Sequence, residues 1–218
     1  MDMIFLLLML ILPILAQLGV TSTFKKYSTV NNSRGLTAEQ VARQILDSNG
    51  LHHIRIERIS GNLTDHFSPD ENVVRLSDSV YGKTSVAAIG VAAHECGHAC
   101  QHAESYAPIV IRSKIVPAVN ICSKFWYLTF ILGIIISHYL IYLGIAMFSA
   151  VVIFQLVTLP TELDASHRAL KTLESDGILE MSEISPAKKV LTAAAMTYVI
   201  SLVTSIMQLM RLIARAKR

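Results

Sequence analysis

Residues 126–161 read WYLTFILGIIISHYLIYLGIAMFSAVVIFQLVTLPT, a stretch that contains no Asp, Glu, Lys or Arg. As a single α-helix this stretch would be about 54 Å long, whereas the hydrocarbon core of a bilayer is about 30 Å thick. The chain therefore has to fold back. We expect a transmembrane hairpin at 118–158, with spans at 118–137 and 139–158 and a turn at Ser137 and His138. Lys124 lies near enough to the end of the first span for its ammonium group to reach water.

Two further segments are apolar enough to cross a membrane. Residues 4–20 carry no charge and would form a helix of roughly 25 Å. An acidic flank, with Asp2, and the lack of a small-residue cleavage site favour a retained anchor at 1–20 over a signal peptide. Residues 190–209 are long enough to span, but their Ser, Thr and Gln side chains make packing against the other helices the alternative. The sequence thus predicts three or four transmembrane helices.

The composition of the chain agrees with a multi-pass protein of the cell membrane. Only 16% of its 218 residues are charged, against roughly 25% in soluble domains, and 52% are hydrophobic. These values exclude a disordered chain and disfavour a freely soluble enzyme. The net charge is +3 and the basic residues form no dense tract, so no nucleic-acid partner is expected. Three cysteines are too few, and odd in number, for a disulfide framework.

The distribution of basic residues predicts the orientation in the membrane. The four basic residues of the C-terminus would oppose a cytoplasmic position of residues 21–117 and 159–189 if residues 190–209 crossed the bilayer. They would agree with that position if residues 190–209 did not cross. The majority predicts that residues 21–117 and 159–189 face the cytoplasm. Ten basic residues near the predicted spans support this side, nine of them within the two regions and the tenth, Lys124, near the end of the first span: Lys25, Lys26, Arg34, Arg112, Lys114, Lys124, Arg168, Lys171, Lys188 and Lys189.

Residues 21–117 have the pattern of a small α+β domain. Thr37 and Gln40 form a capping-box pattern that predicts a helix over 36–50. Alternating apolar residues and turn signals predict strands at 54–57, 63–67 and 73–76, which we expect to form a small antiparallel sheet. Thr84 or Ser85 then caps a helix that is rich in Ala and Val and runs to about Gln101.

That helix carries the motif His94-Glu95-Cys96-Gly97-His98, an HExxH pattern. Two histidines four residues apart share one face of a helix and can bind one zinc ion. Glu95 points away from that ion but can reach a water bound to it, which predicts a general base in peptide-bond hydrolysis. Gly97 costs about 1 kcal/mol in a helix relative to Ala, so we expect another element to pack closely there.

A catalytic zinc ion needs a third protein ligand. The metzincin pattern is excluded, because Gln101 and Glu104 stand where it requires Gly and His. His102 would lie about 6 Å farther along a straight helix than His98. Glu162 is the stronger candidate, because it directly follows the charge-free stretch and Pro160 suits the first turn of a helix. Asp164 is the alternative, although it can also pair with Arg168 four residues later.

Four segments of the chain carry a family resemblance: Gly61–Phe67, Ser85–Ala88, Ala93–Ala99 with Gln101-His102, and Leu159–Ser166. They resemble the YugP-like family of bacterial membrane proteins, which are described as putative neutral zinc metallopeptidases. The likeness covers nearly the whole length and implies the ligands His94, His98 and Glu162, with Glu95 as the base. More distantly, the chain is similar to HtpX-type membrane gluzincins, which implies a gluzincin-like zinc-protease domain. It departs from the gluzincin pattern at Ser166, where those enzymes tend to carry Asp; Asp65 or another carboxylate could replace it.

The sequence predicts a mainly α membrane protein that acts as a zinc-dependent metalloendopeptidase on membrane or membrane-proximal polypeptides. The alternative is a catalytically silent membrane scaffold that retains a structural zinc site. The expected organisation is an anchor at 1–20, an α+β domain at 21–117, the hairpin at 118–158, a membrane-proximal helical segment with the third ligand at 159–189, and a hydrophobic helix with a basic tail at 190–218.

Overall fold

The structure is a computed structural model that describes residues 2–216. In this part of the chain it is mainly helical, as predicted, and it contains six helices and three strands. In chain order these elements are α1 (Asp2–Tyr27), α2 (Ala38–Ser48), β1 (Arg55–Ile59), β2 (His66–Ser68), β3 (Val73–Ser77), α3 (Val86–Ala103), α4 (Ala107–Ile135), α5 (His138–Ser175) and α6 (Met181–Ala216).

Local capping explains where α2 and α3 begin. The side chain of Gln40 accepts a hydrogen bond of 2.9 Å from the backbone N–H of Thr37, which is the glutamine half of the predicted capping box. At the start of α3, the hydroxyl of Ser85 accepts a hydrogen bond of 3.3 Å from the backbone N–H of Ala88. Gly50, just after α2, has a φ of +71°, a conformation that favours glycine.

The sheet is mixed, which corrects the expected antiparallel arrangement. Its strand order is β1-β3-β2, with β1 parallel and β2 antiparallel to β3. The most apolar strand takes the centre: Val73, Val74 and Leu76 of β3 are fully buried, whereas the flanking strands are more exposed. A central strand is covered on both sides, so the last strand in the chain inserts between the first two instead of extending a meander.

One compact unit comprises residues 17–106 and 161–196. Its hydrophobic core joins α2, the central strand, α3 and the parts of α5 and α6 that belong to this unit. It includes Leu46, Leu76, Ile89, Leu173 and Ile178, each of which is less than 2% exposed. This unit holds the whole HExxH motif and the residues that follow the charge-free stretch, so the candidate site is formed within it.

The second unit comprises residues 2–16, 107–160 and 197–216 of the described chain. Its centre is a packed hairpin of α4 and α5, joined at residues 136–137, close to the predicted turn. The two helices approach closely at glycines: a Cβ added to Gly133 would collide with the backbone nitrogen of Ile141. The hydrophobic cluster of this unit contains the buried residues Phe130, Ile141, Phe148, Val152, Leu202 and Leu212.

Four helices of the described chain are long and apolar enough to cross a membrane: α1, α4, α5 and α6. The predicted segment at 190–209 is therefore the central part of a longer helix, α6. One expectation is wrong: no new helix begins at Pro160, because α5 continues through it as one helix of 38 residues. A proline removes one backbone hydrogen bond, but a long helix can continue when neighbouring groups satisfy the freed carbonyl.

Candidate metal centre

The structure brings His94 and His98 of α3 together with Glu162 of α5. One donor atom from each side chain lies within 4.8 Å of the other two. The Nε2 atoms of His94 and His98 lie 3.3 and 3.5 Å from Oε2 of Glu162. The two imidazole rings stand nearly perpendicular, at 82°, with their centroids 4.7 Å apart. Two histidines from one helix and a carboxylate from another thus converge on one point.

Gly97 allows the two helices to approach closely. A Cβ added to this residue would lie 2.7 Å from the backbone oxygen of Ala165, which is closer than real Cβ atoms come to a neighbour. The expected close packing at Gly97 is therefore confirmed, and the neighbouring element is α5. This contact lies between the two histidines on α3 and three residues after Glu162 on α5, so it sets the distance between the donors.

Gln101 fixes the orientation of His98. Its Oε1 lies 3.0 Å from Nδ1 of His98, while its Nε2 donates to the backbone oxygen of Thr161 at 2.8 Å and to Asp164 at 2.7 Å. Both amide hydrogens are used by α5, so the amide oxygen faces His98 and can only accept. This network assigns the proton of His98 to Nδ1 and turns Nε2 toward Glu162.

These groups fit a divalent metal ion. Ligand atoms that lie 2.0–2.1 Å from zinc at tetrahedral angles are about 3.3 Å apart, close to the 3.3 and 3.5 Å measured here. With its proton on Nδ1, a neutral His98 presents a lone pair to the carboxylate of Glu162. Two such acceptors repel each other unless a proton or a cation lies between them. The donor set, two imidazoles and a carboxylate, is one that zinc prefers.

The site has a negative electrostatic potential at His98. Burial by itself lowers the pKa of this imidazole, because the charged form loses its hydration. The hydrogen bond that the protonated imidazole donates to Glu162 and the negative charges of Glu95 and Glu162 act in the opposite direction and prevail, so the pKa of His98 is raised. The same carboxylates that favour an imidazolium ion would favour a bound cation.

Ser166 is the partner of the other histidine. Its hydroxyl lies 3.1 Å from Nδ1 of His94, so a serine stands here at the position where the gluzincin pattern has Asp. Asp65, which we considered as a replacement, is engaged elsewhere: its two oxygens accept hydrogen bonds of 2.7 and 2.8 Å from the backbone and hydroxyl of Ser77. The hydroxyl of Ser166 therefore supports His94 from the helix that carries Glu162.

The other candidate ligands lie outside the cluster. Asp164 accepts hydrogen bonds from Gln101 and, at 2.6 Å, from Arg168, the pairing that its spacing predicted. The guanidinium group of Arg168 continues to Glu104 at 2.8 Å. His102 contacts the ring of Phe67 instead, with centroids 5.9 Å apart. Asp164 thus stabilises the contact between α3 and α5.

Glu95 is 8% exposed and lies between the two histidines in sequence. Its negative charge contributes to the raised pKa of His98, and its carboxylate is not one of the three clustered donors. The role of Gln101 as a partner of His98 was not predicted, although this residue excluded the metzincin pattern and belongs to the family resemblance. The available signal was spacing: Gln101 lies three residues after His98, on the same face of α3.

Comparison with known proteins shows the family of the chain. A family model described as "Putative neutral zinc metallopeptidase" matches residues 2–217. The chain belongs to this family. It is 48% identical over 199 residues to a protein of Bacillus subtilis (strain 168) described as "Putative membrane protease YugP", a match that covers 91% of this chain and 88% of that protein. No solved structure matches the chain.

Membership of the family confirms the predicted resemblance and identifies zinc as the cofactor. The cluster of His94, His98 and Glu162 is a group that could hold this metal. Together with the four apolar helices, the comparisons describe a multi-pass membrane protein of the metalloprotease class, with a polypeptide as its substrate.

Proposed function

We propose that this protein is a membrane-embedded zinc endopeptidase, in which His94, His98 and Glu162 bind the metal and Glu95 is the general base. The observation that carries the proposal is the convergence of three donor atoms from two helices at the separations of a tetrahedral zinc site. Three protein ligands leave one tetrahedral position open, which is the arrangement of catalytic zinc sites, whereas structural sites are closed by four.

Each residue has a distinct task in this mechanism. When bound, zinc acidifies a water molecule and polarises the carbonyl of the scissile bond. The carboxylate of Glu95 accepts the proton of the attacking water and delivers it to the amine that leaves. Gln101 and Ser166 hold the imidazoles of His98 and His94 in the orientation that turns Nε2 toward Glu162.

The substrate that we propose is a membrane or membrane-proximal polypeptide. Glu162 directly follows the charge-free residues 126–161, and this position in the sequence supports a metal site close to the bilayer surface. The ten basic residues around the spans favour the cytoplasmic side. Such a site can reach peptide bonds in extended segments of membrane proteins that emerge on that side.

The strand β2 offers a surface for an extended substrate. In the described chain it pairs with β3 on one side and is an edge of the sheet on the other. The contact between Phe67 of β2 and His102 of α3 brings this edge to the helix that carries the motif. An extended peptide can add a strand to such an edge through backbone hydrogen bonds.

The test combines metal analysis with a proteolysis assay on the purified full chain. Glu95→Gln should abolish cleavage of casein while the zinc content stays at the wild-type level. Glu162→Ala should lose zinc on dialysis, whereas Asp164→Ala, which removes the neighbouring carboxylate, should retain more of it. Zinc is quantified by mass spectrometry and cleavage by released peptides.

Two results would contradict the proposal. Cleavage by Glu95→Gln at the wild-type rate would exclude Glu95 as the base. An unchanged zinc content in Glu162→Ala would mean that another residue is the third ligand. Wild-type protein that keeps zinc but cleaves no polypeptide would support the alternative, a silent scaffold with a structural metal.

A further inference from the structure

A cavity of about 560 Å³ lies between the C-terminal end of α1 and the first half of α6, and no residue of the metal cluster lines it. None of its lining residues is acidic and three are lysines. The others supply hydroxyl groups or, in one case, a methyl group. The lining consists of Thr23, Lys26, Tyr27, Ser185, Lys188, Lys189, Thr192 and Ala193.

Two ammonium groups from different helices lie against one aromatic ring that lines this cavity. The Nζ atoms of Lys26 on α1 and Lys189 on α6 lie 5.4 and 6.0 Å from the centroid of the same ring, that of Tyr27. Tyr27 is 9% exposed and belongs to the hydrophobic core, so this ring is a fixed support. Like charges around one ring repel each other, and an anion bound among them lowers that repulsion.

The lysines also mark the boundary between polar and apolar sequence on both helices. On α1 the uncharged residues 4–20 end shortly before Lys25 and Lys26. On α6 the apolar residues begin at Val190, directly after Lys188 and Lys189. In a membrane-spanning helix this boundary lies at the level of the lipid headgroups, where lysines meet phosphate groups.

We propose that this cavity binds the phosphate of an anionic phospholipid headgroup. The three ammonium groups neutralise the phosphate, and the hydroxyls of Thr23, Ser185 and Thr192 can donate to its oxygens. Free phosphate has the same chemistry, but the bilayer supplies the lipid at this level of the two helices. The site does not depend on the proposed proteolysis, since none of its residues belongs to the metal cluster.

The test is a binding titration on the purified full chain in a non-ionic detergent. Native mass spectrometry would measure the dissociation constants of dioctanoylphosphatidylglycerol and of the zwitterionic dioctanoylphosphatidylcholine. We expect the wild type to bind the anionic lipid more tightly. Lys26→Gln with Lys189→Gln should weaken binding of the anionic lipid by about fivefold for each lysine removed and leave the zwitterionic lipid unaffected.

The matched control is Lys25→Gln with Lys171→Gln, which removes the same charge at two exposed lysines outside the cavity. This control should bind both lipids as the wild type does. The proposal fails if the control loses as much affinity as the cavity variant, if the cavity variant keeps the preference, or if the wild type has none. Displacement of the lipid by inorganic phosphate at equal concentration would assign the cavity to free phosphate instead. All four lysines are exposed, so the variants should keep the wild-type circular dichroism.

Discussion

The amide of Gln101 is fully buried and has partners on both helices that carry the metal donors. It accepts from His98 on its own helix, and it donates to the backbone of Thr161 and to Asp164 on α5. A side chain of this kind acts on the metal in two ways. It sets the tautomer and rotation of an imidazole, and it holds the neighbouring helix in register with that imidazole.

Replacement of Gln101 by methionine should therefore weaken zinc binding. Methionine fills a similar volume but neither accepts from Nδ1 of His98 nor donates to α5, so the imidazole loses its fixed orientation. Loss of such a partner typically reduces metal affinity by 10- to 100-fold. We expect a decrease in this range, measured by competition with a chromophoric zinc chelator on the purified protein.

Gln40→Met is the matched control for this prediction, because it makes the same substitution at a glutamine that caps α2 far from the site in sequence. Loss of a cap should lower the free energy of unfolding by about 1 kcal/mol without changing zinc affinity. If Gln101→Met bound zinc as tightly as Gln40→Met does, the hydrogen bond to His98 would have no part in metal binding.

At the scale of elements, the contact between α3 and α5 at Gly97 is the most sensitive to change. In Gly97→Ala the new methyl group would meet the backbone oxygen of Ala165 at 2.7 Å, and backbone cannot move aside as a side chain can. Overpacking costs about 1–3 kcal/mol, of which about 1 kcal/mol is recovered from the higher helix propensity of alanine. We expect a lower midpoint of thermal unfolding in detergent and weaker zinc binding.

Gly90→Ala tests the same substitution on the same helix where space is available. A Cβ at Gly90 would lie 3.7 Å from Cβ of Ala187, an ordinary contact distance. This variant should be at least as stable as the wild type, because only the gain in helix propensity remains. Equal destabilisation of the two variants would mean that the loss at Gly97 arises from α3 itself and not from its approach to α5.

The helices followed from signals that act locally in the sequence. The capping residues Thr37, Gln40 and Ser85 determine where α2 and α3 begin, and the lack of charge in 126–161 requires a hairpin. The direction of β1 did not follow, because it depends on which strand becomes the central one. The continuity of α5 through Pro160 did not follow either, because a single proline normally signals a helix start or a kink.

The convergence of the metal donors could also be predicted only in part. Helical spacing places His94 and His98 on one face, and the position of Glu162 after the hairpin made it a candidate for the same place. The partners Gln101 and Ser166 could not be assigned from spacing alone. Their hydrogen bonds form only because Gly97 lets α5 approach α3, a tertiary contact between residues about 70 apart in sequence.

For the whole molecule, the number of membrane crossings determines which segments share a side of the bilayer. If α1, α4, α5 and α6 all cross, residues 28–106 and 176–180 lie on one side, and the turn at 136–137 lies on the other. The ten basic residues around the first group favour the cytoplasm for it. The basic C-terminal residues would then emerge on the opposite side. Their positive charge disfavours this orientation, so the two sides have to be distinguished by experiment.

Cysteine labelling in whole cells tests this orientation. Ser60→Cys lies in the exposed turn after β1, and His138→Cys lies exposed at the start of α5. With a membrane-impermeant maleimide, we expect His138→Cys to react in intact cells and Ser60→Cys to react only in inverted vesicles. The wild type supplies the background from Cys96, Cys100 and Cys122, of which the first two are buried. Labelling of Ser60→Cys in intact cells would show the opposite orientation, in which the metal site and its substrates lie outside the cytoplasm.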